Sequence, residues 1–187
     1  MKDVNDIKKK NEEIARKFMK IETALPSFSD VTELFETILI KIEEEFDIPF
    51  VWISMINRPY LTGVIQALTR SKLLKDRINI VDETSFFSLV ADGTKPVLAN
   101  EDLKPFFKLL PRKKKFFIGS LAVAPIALHQ EIIGSLNHGD FSSLRYQPDM
   151  DTTLLHRLAS NISIRLSEII ACEKMADKAI DETGKGD

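Results

Sequence analysis

The chain is poor in the residues that build covalently or metal-held scaffolds. It has one cysteine, Cys172, in 187 residues. No internal disulfide and no cysteine-based zinc site can form within one copy, which suits a reducing cytoplasm. Histidine is scarce: His129, His138 and His156 are the whole set, and no HExxH pairing joins them. No P-loop and no GxGxxG segment offers a phosphate cradle, and no G-x-S-x-G elbow supports a hydrolase. The sequence therefore shows no catalytic constellation, no metal site and no cofactor motif. Long apolar runs are missing too. The longest, Ser120–Leu128, is interrupted by Pro125 and is far short of the roughly 20 residues that span a bilayer. The first 22 residues are charged throughout and hold no apolar signal-peptide core. Net charge is −2, so nothing draws the chain as a whole to nucleic acid or to acidic lipid. The expectation is a cytoplasmic protein with no nucleic-acid and no membrane partner.

What is present is enough apolar material for a core, 44% of residues, within a chain that is 29% charged. The length predicts one domain with residues to spare for flanking helices. Residues 1–25 read as a helix with a heptad: Val4, Asn11, Phe18 and Leu25 recur at one seam position and Ile7, Ile14 and Ile21 at the other. The stripe is narrow and flanked by charge, which fits pairing with a second copy. The alternative is a helix folded back on its own domain. About three heptads is marginal for a coil standing alone. Pro26 ends that helix, Ser27 or Ser29 can cap the next, and Val31, Leu34, Phe35, Ile38, Leu39 and Ile42 form its wide buried face. Phe50–Ile56 reads as a strand with Val51, Ile53 and Met55 on one side and Trp52 and Ser54 on the other.

Residues 57–115 predict short helices and strands laid across a sheet. They end in the basic run Arg112-Lys-Lys-Lys115, a solvated loop or an anion site at a pocket rim. The run lacks the interleaved aromatics of a nucleic-acid surface. Phe116–Leu128 and Glu131–Asn137 then face each other across a His129-Gln130 corner as a central hairpin. Phe141–Tyr146 reads as a short edge strand, and His138 as a strand-end residue bonding to the Gly139-Asp140 turn. A long helix capped by Asp149 or Asp151 carries Leu154, Leu155, Leu158, Ile162, Leu166, Ile169 and Ile170. The expected organisation is a helix at 1–25, a domain at 26–180 ending in that long helix, and a disordered tail at 181–187.

This order predicts an α+β domain: a central antiparallel sheet, long N- and C-terminal helices on one face, and short helices and loops over the other. Ser120-Leu-Ala-Val-Ala-Pro-Ile followed by Glu131-Ile-Ile-Gly-Ser-Leu resembles a GAF domain. Ile48-Pro-Phe-Val-Trp, Lys95-Pro-Val-Leu-Ala-Asn, Gly134-Ser-Leu-Asn-His-Gly-Asp and Pro148-Asp-Met-Asp-Thr are further similar to the bacterial GAF-related domain-of-unknown-function four-eight-four family. The match runs from about Val31 to about Lys174. The resemblance implies a non-catalytic sensory module that binds a small molecule and dimerises through its terminal helices.

Strand alternation suggests where that molecule goes. Trp52, Ser54, Ser120, Ala122, Ser135 and Asn137 are taken as one small and polar face under the 57–115 segment, with the apolar face on the long helices. Small residues leave room and a few polar groups orient a ligand; the alternative is a face packed solid by Phe86, Phe87, Phe106 and Phe107. Val4, Ile7, Asn11, Ile14, Phe18, Ile21 and Leu25 are the candidate dimer seam of a homodimer. With no output domain in the sequence, a separate output protein is expected. Two other readings remain: a protein–protein adaptor without a pocket, and a small enzyme using His138 and Asp140.

Overall fold

The computed structural model describes residues 4–91, 93–111 and 118–183, with side chains described as far as Ala176. The basic run at 112–115 and residues 184–187 of the expected tail lie outside the described residues. The elements are α1 (Val4–Ala24), α2 (Val31–Phe46), β1 (Phe50–Ile56), α3 (Thr62–Arg70), β2 (Ile78–Val81), α4 (Glu83–Leu89), β3 (Val97–Ala99), β4 (Ser120–Leu128), β5 (Glu131–Asp140) and α5 (Thr153–Thr183). They form one α+β fold around a sheet of order β2-β1-β5-β4-β3.

Local chemistry sets the boundaries. Asp30, not a serine, caps α2 by accepting the Glu33 N–H at 2.9 Å, and Asp47 ends that helix in the left-handed region. Asp82 caps α4 through the Ser85 N–H at 2.8 Å. Asp151 opens α5, accepting both the N–H and the hydroxyl of Thr153. The expected edge strand at 141–146 is a run of turns instead: β5 continues to Asp140, whose carboxylate accepts the Ser142 N–H at 2.8 Å.

Two features of the sheet differ from the expected all-antiparallel arrangement with short helices on one side. β2 runs parallel to β1. A parallel neighbour requires a crossover, and the segment bearing α3 supplies it. That crossover carries α3 onto the face of the long helices, where Leu68 joins their core. The opposite face, here called the lid face, is covered by α4 and the turn at Lys104–Lys108.

Both faces are apolar and buried. Val51, Ile53 and Met55 pack with α1, α2 and α5; Trp52 and Ile56 pack with Phe86, Leu109 and Leu110 of the lid. β1 thus divides as its alternation predicts. β4 divides the other way: Ala122 and Ala124 meet the helices, while Leu121 and Val123 face the lid. The alanines let α5 lie close over the strand. β5 carries a bulge opposite Ile126 and Ala127, which pair with Gly134 and Ile132. The extra residue sends Ile133 to the helix face and Ile132 to the lid face, the reverse of what unbroken alternation from Leu136 would give.

β3 covers only Leu121–Val123 of β4. Beyond it, the serines of α5 close the open edge: Ala127 N–H donates to Ser163 Oγ at 2.8 Å and His129 N–H to Ser167 Oγ at 3.1 Å. Pro125 lies two residues before Ala127, so the strand's period of two turns its donor-free nitrogen to the same edge.

Candidate functional site

The six residues expected to share one face do not all come together. Trp52, Ser54, Ser135 and Asn137 meet on the lid face with no exposure. Trp52 Nε1 and Ser54 Oγ both donate to the Leu109 carbonyl, at 2.6 and 2.7 Å. Asn137 Nδ2 donates to Ser54 Oγ at 3.0 Å, and Asn137 Oδ1 accepts from Ser135 Oγ at 2.8 Å. This cluster ties β1 and β5 to the lid with its own groups and one backbone carbonyl. Asn79 on β2 fastens the same segment by donating to the Lys108 carbonyl at 2.8 Å.

Ser120 and Ala122 lie on the opposite face, because β4 has the other parity. Ser120 Oγ donates to the Ser142 carbonyl at 2.7 Å and accepts the Tyr146 N–H at 3.2 Å. Ser120 therefore positions the loop after β5, and that loop carries Arg145 and Tyr146. Arg145 is fixed by Asp140 and the Asp47 carbonyl, each at 3.3 Å, and by the Phe46 carbonyl.

The helix face holds a cavity of about 330 Å³ where this loop, α1 and the first turn of α5 converge. Its walls are mostly apolar: Ile14 and Phe18 of α1, Phe46 and Ile48, Leu98 of β3, and Leu154 and Leu155 of α5. The polar lining is Lys17, His138, Arg145, Tyr146, Asp151 and Thr152. Apolar walls with a few convergent polar groups are the usual make-up of a small-molecule pocket, and the volume is at the lower end of the roughly 300–1,000 Å³ range.

Two polar atoms of these side chains, His138 Nε2 and Tyr146 Oη, are fully enclosed and have no hydrogen-bond partner among the described residues. Their rings stand 6.2 Å apart. His138 retains 4% of its exposure. Burial, with the nearby Arg145 cation, lowers its pKa from 6.5 to about 3, so the imidazole is neutral at physiological pH. Burial raises the Tyr146 phenol well above its usual range, the Arg145 cation opposing in part. The sequence reading gave the turn contact to His138; Asp140 makes it instead, through Ser142 and Arg145. A signal for His138 existed: Leu136 on the helix face puts His138, two residues on, on that face too.

The heptad stripe of α1 divides. Phe18, Ile21 and Leu25 are buried in the domain's own core, Ile21 at 1% exposure. Val4, Ile7 and Ile14 are 78, 49 and 41% exposed, and Asn11 is exposed among them. Cys172 is exposed on α5. Among the described residues no three His, Cys, Asp or Glu side chains group as metal ligands, and no helix is long and apolar enough to cross a membrane.

No protein-family model and no curated protein matches the chain. Solved structures do. One is a protein in a far-red-absorbing dark state with bound biliverdin IXa, at TM-score 0.52 and 15% identity, covering 82% of this chain and 98% of that one. Another is the GAF domain of an Acinetobacter phosphoenolpyruvate-protein phosphotransferase, at TM-score 0.54 and 12% identity, covering 85% of this chain and 96% of that one. Identities this low speak to architecture alone, and the architecture is the GAF fold.

Proposed function

We propose that the chain is a non-catalytic sensory domain that binds a small molecule in the cytoplasm and signals through its terminal helices. The observation that carries this reading is the helix-face cavity of about 330 Å³, apolar-walled with Lys17, His138, Tyr146 and Thr152 among its polar lining. The biliverdin-bound relative in fold adds that this architecture accommodates a ligand. The four segments quoted above favour placing the chain beside the GAF-related four-eight-four family.

The route for a signal is α1. Ile14, Lys17 and Phe18 wall the cavity, and the exposed Val4, Ile7, Asn11 and Ile14 continue the same helix. In this reading a second copy packs on that upper stripe. The bound molecule biases one placement of α1 over another, and a separate output protein reads the result. Four seam residues are too few to pair alone, so the α5 helices contribute. His138 and Asp140 share a strand face, yet Asp140 is committed to Ser142 and Arg145, which favours binding over acid–base chemistry. The solidly bonded lid face gives the adaptor reading its own support.

Sedimentation of the full chain, alone and with a metabolite mixture, tests the proposal. The expected result is a dimer that Ile7→Asp converts to monomer, with a metabolite-dependent rise in melting temperature. A monomer in the wild type, unchanged by metabolites and with no thermal shift, refutes it. A dimer with no ligand response transfers support to the adaptor.

A further inference from the structure

We infer that the helix-face cavity takes an uncharged aromatic molecule of two fused rings, packed among the rings of Phe18, Phe46, His138 and Tyr146. This rests on the reading of that cavity as the sensory site and adds the class of molecule.

The lining supplies rings in two pairs. Phe18 of α1 and Phe46 at the end of α2 stand 4.7 Å apart between centroids and 55° out of parallel. His138 and Tyr146 stand 6.2 Å apart and 48° out of parallel. Tyr146 Oη and His138 Nε2 are enclosed and lie beyond a ligand's reach, so Tyr146 meets the cavity with its ring. Aromatic rings favour offset or edge-to-face neighbours. Two tilted pairs offer a flat guest both kinds of contact, and Ile14 and Leu155 add aliphatic contact. An apolar cavity of about 150 Å³ holds one benzene ring; a volume of about 330 Å³ therefore has room for two fused rings.

The charged groups disfavour an ionic guest. Lys17 pairs with Glu13 at 3.5 Å and lies 6.0 Å over the Phe46 ring. Arg145 is held by Asp140 and two backbone carbonyls and lies 6.0 Å over the Tyr146 ring. Asp151 accepts two hydrogen bonds from Thr153 and is exposed to water. The His138 imidazole is neutral at physiological pH. A charge moved into apolar surroundings is costly unless a counter-ion or several hydrogen bonds meet it there, and each ion at this cavity already has partners. Thr152 in the lining carries a neutral hydroxyl, enough for one polar edge of the guest, such as a hydroxyl or a ring N–H.

Calorimetric titration of the full-length protein at neutral pH with matched probes separates charge from ring. 2-Naphthol is uncharged, 2-naphthoate an anion, 2-(aminomethyl)naphthalene a cation, and decahydro-2-naphthol the saturated counterpart. 2-Naphthol is expected to bind saturably, at least about 10-fold more tightly than either ion and about 3-fold or more above the saturated alcohol. Ile14→Gln, at a wall position 41% exposed that tolerates a polar side chain, should weaken 2-naphthol by about 5-fold or more. Ile80→Gln, the same change at an exposed isoleucine of β2, should leave 2-naphthol binding unchanged. Either ion binding as tightly as 2-naphthol overturns the uncharged class; if that ion also loses affinity in Ile14→Gln, the sensory cavity stands without it. Decahydro-2-naphthol matching 2-naphthol overturns the aromatic class. Equal 2-naphthol affinity in Ile14→Gln and Ile80→Gln places the molecule elsewhere and overturns the inference. If no probe binds but the metabolite mixture raises the melting temperature, the sensory reading survives and this class falls; if neither responds, both fall.

Discussion

Replacing His138 with leucine should make the protein resist acid. In the unfolded chain the imidazole titrates near 6.5; in the fold it titrates near 3, chiefly because it is buried. The native state therefore binds fewer protons than the unfolded state between these values. Stability from this group is complete above about pH 6.5 and is lost as pH falls toward 3. Each unit below 6.5 removes about 1.4 kcal/mol, so the drop from pH 8 to pH 5 is about 2 kcal/mol. The full window is worth about 5 kcal/mol, comparable to the entire stability of many domains, so His138 alone is enough to unfold a marginal protein before pH 3. His138→Leu removes the titration. At pH 8 it should sit within about 1 kcal/mol of wild type, because the Nε2 atom it deletes has no partner to strand. At pH 5 it should be the more stable by about 2 kcal/mol. Urea unfolding followed by the fluorescence of Trp52, the single tryptophan and fully buried, reads this directly. With a slope near 2 kcal/mol per molar urea, the wild-type midpoint should fall by about 1 M more than the variant's between the two pH values. Asp and Glu residues, and the remaining two histidines, are common to both proteins and cancel. Midpoints that fall in parallel would refute the argument, since they would mean His138 is protonated in the fold or reached by water.

Two further substitutions test the packing of the sheet. Gly134→Ala places a Cβ 2.0 Å from the Ser54 carbonyl oxygen; the strands must part, and a loss of about 3 kcal/mol or more is expected as a lowered urea midpoint or insoluble expression. Asn137→Ala removes the acceptor of Ser135 Oγ–H and the donor to Ser54 Oγ inside a dry cluster; it should cost about 2–3 kcal/mol, read as a melting temperature lower by about 6 °C.

The sequence was most legible where polarity and shape changed together. β1 alternates Trp52 and Ser54 against Val51, Ile53 and Met55, and its two faces came out as expected. After Ser120, β4 offered only apolar residues and one proline, so small against large was the main contrast, and buried size does not say which side needs it. There the helices needed the small side. The bulge in β5 shifts parity by one at Ile133 without any local signal stronger than Gly134. β2 is four residues long, too short to reveal its direction, which follows from the α3 crossover. The α+β class and GAF fold were legible because they depend on the order of elements. The helix-face cavity was not, because it joins α1, the end of α2, β3, β5, α5 and two connecting segments, and no local pattern spans such separations. Ser120 belongs to that side as a residue that positions the Arg145–Tyr146 loop.

The divided stripe of α1 explains why heptad periodicity alone left two readings of the first helix open. A narrow apolar seam looks the same whether its partner is the chain's own core or a second copy. Here it meets the core from Phe18 onward and faces outward before Ile14, and the cavity sits at the division. Ile14 belongs to both: it is 41% exposed and it walls the cavity. Fully burying an isoleucine stabilises by about 1.5–3 kcal/mol, so its partial exposure leaves a fraction of that to be gained by a small rotation of α1 or by a partner helix. Coupling between two sites is typically about 1–3 kcal/mol. One side chain at the boundary is thus of the right magnitude to link occupancy of the cavity to pairing of α1. In the proposed reading a longer conduit is not required, because the cavity wall and the exposed upper stripe are consecutive turns of one helix.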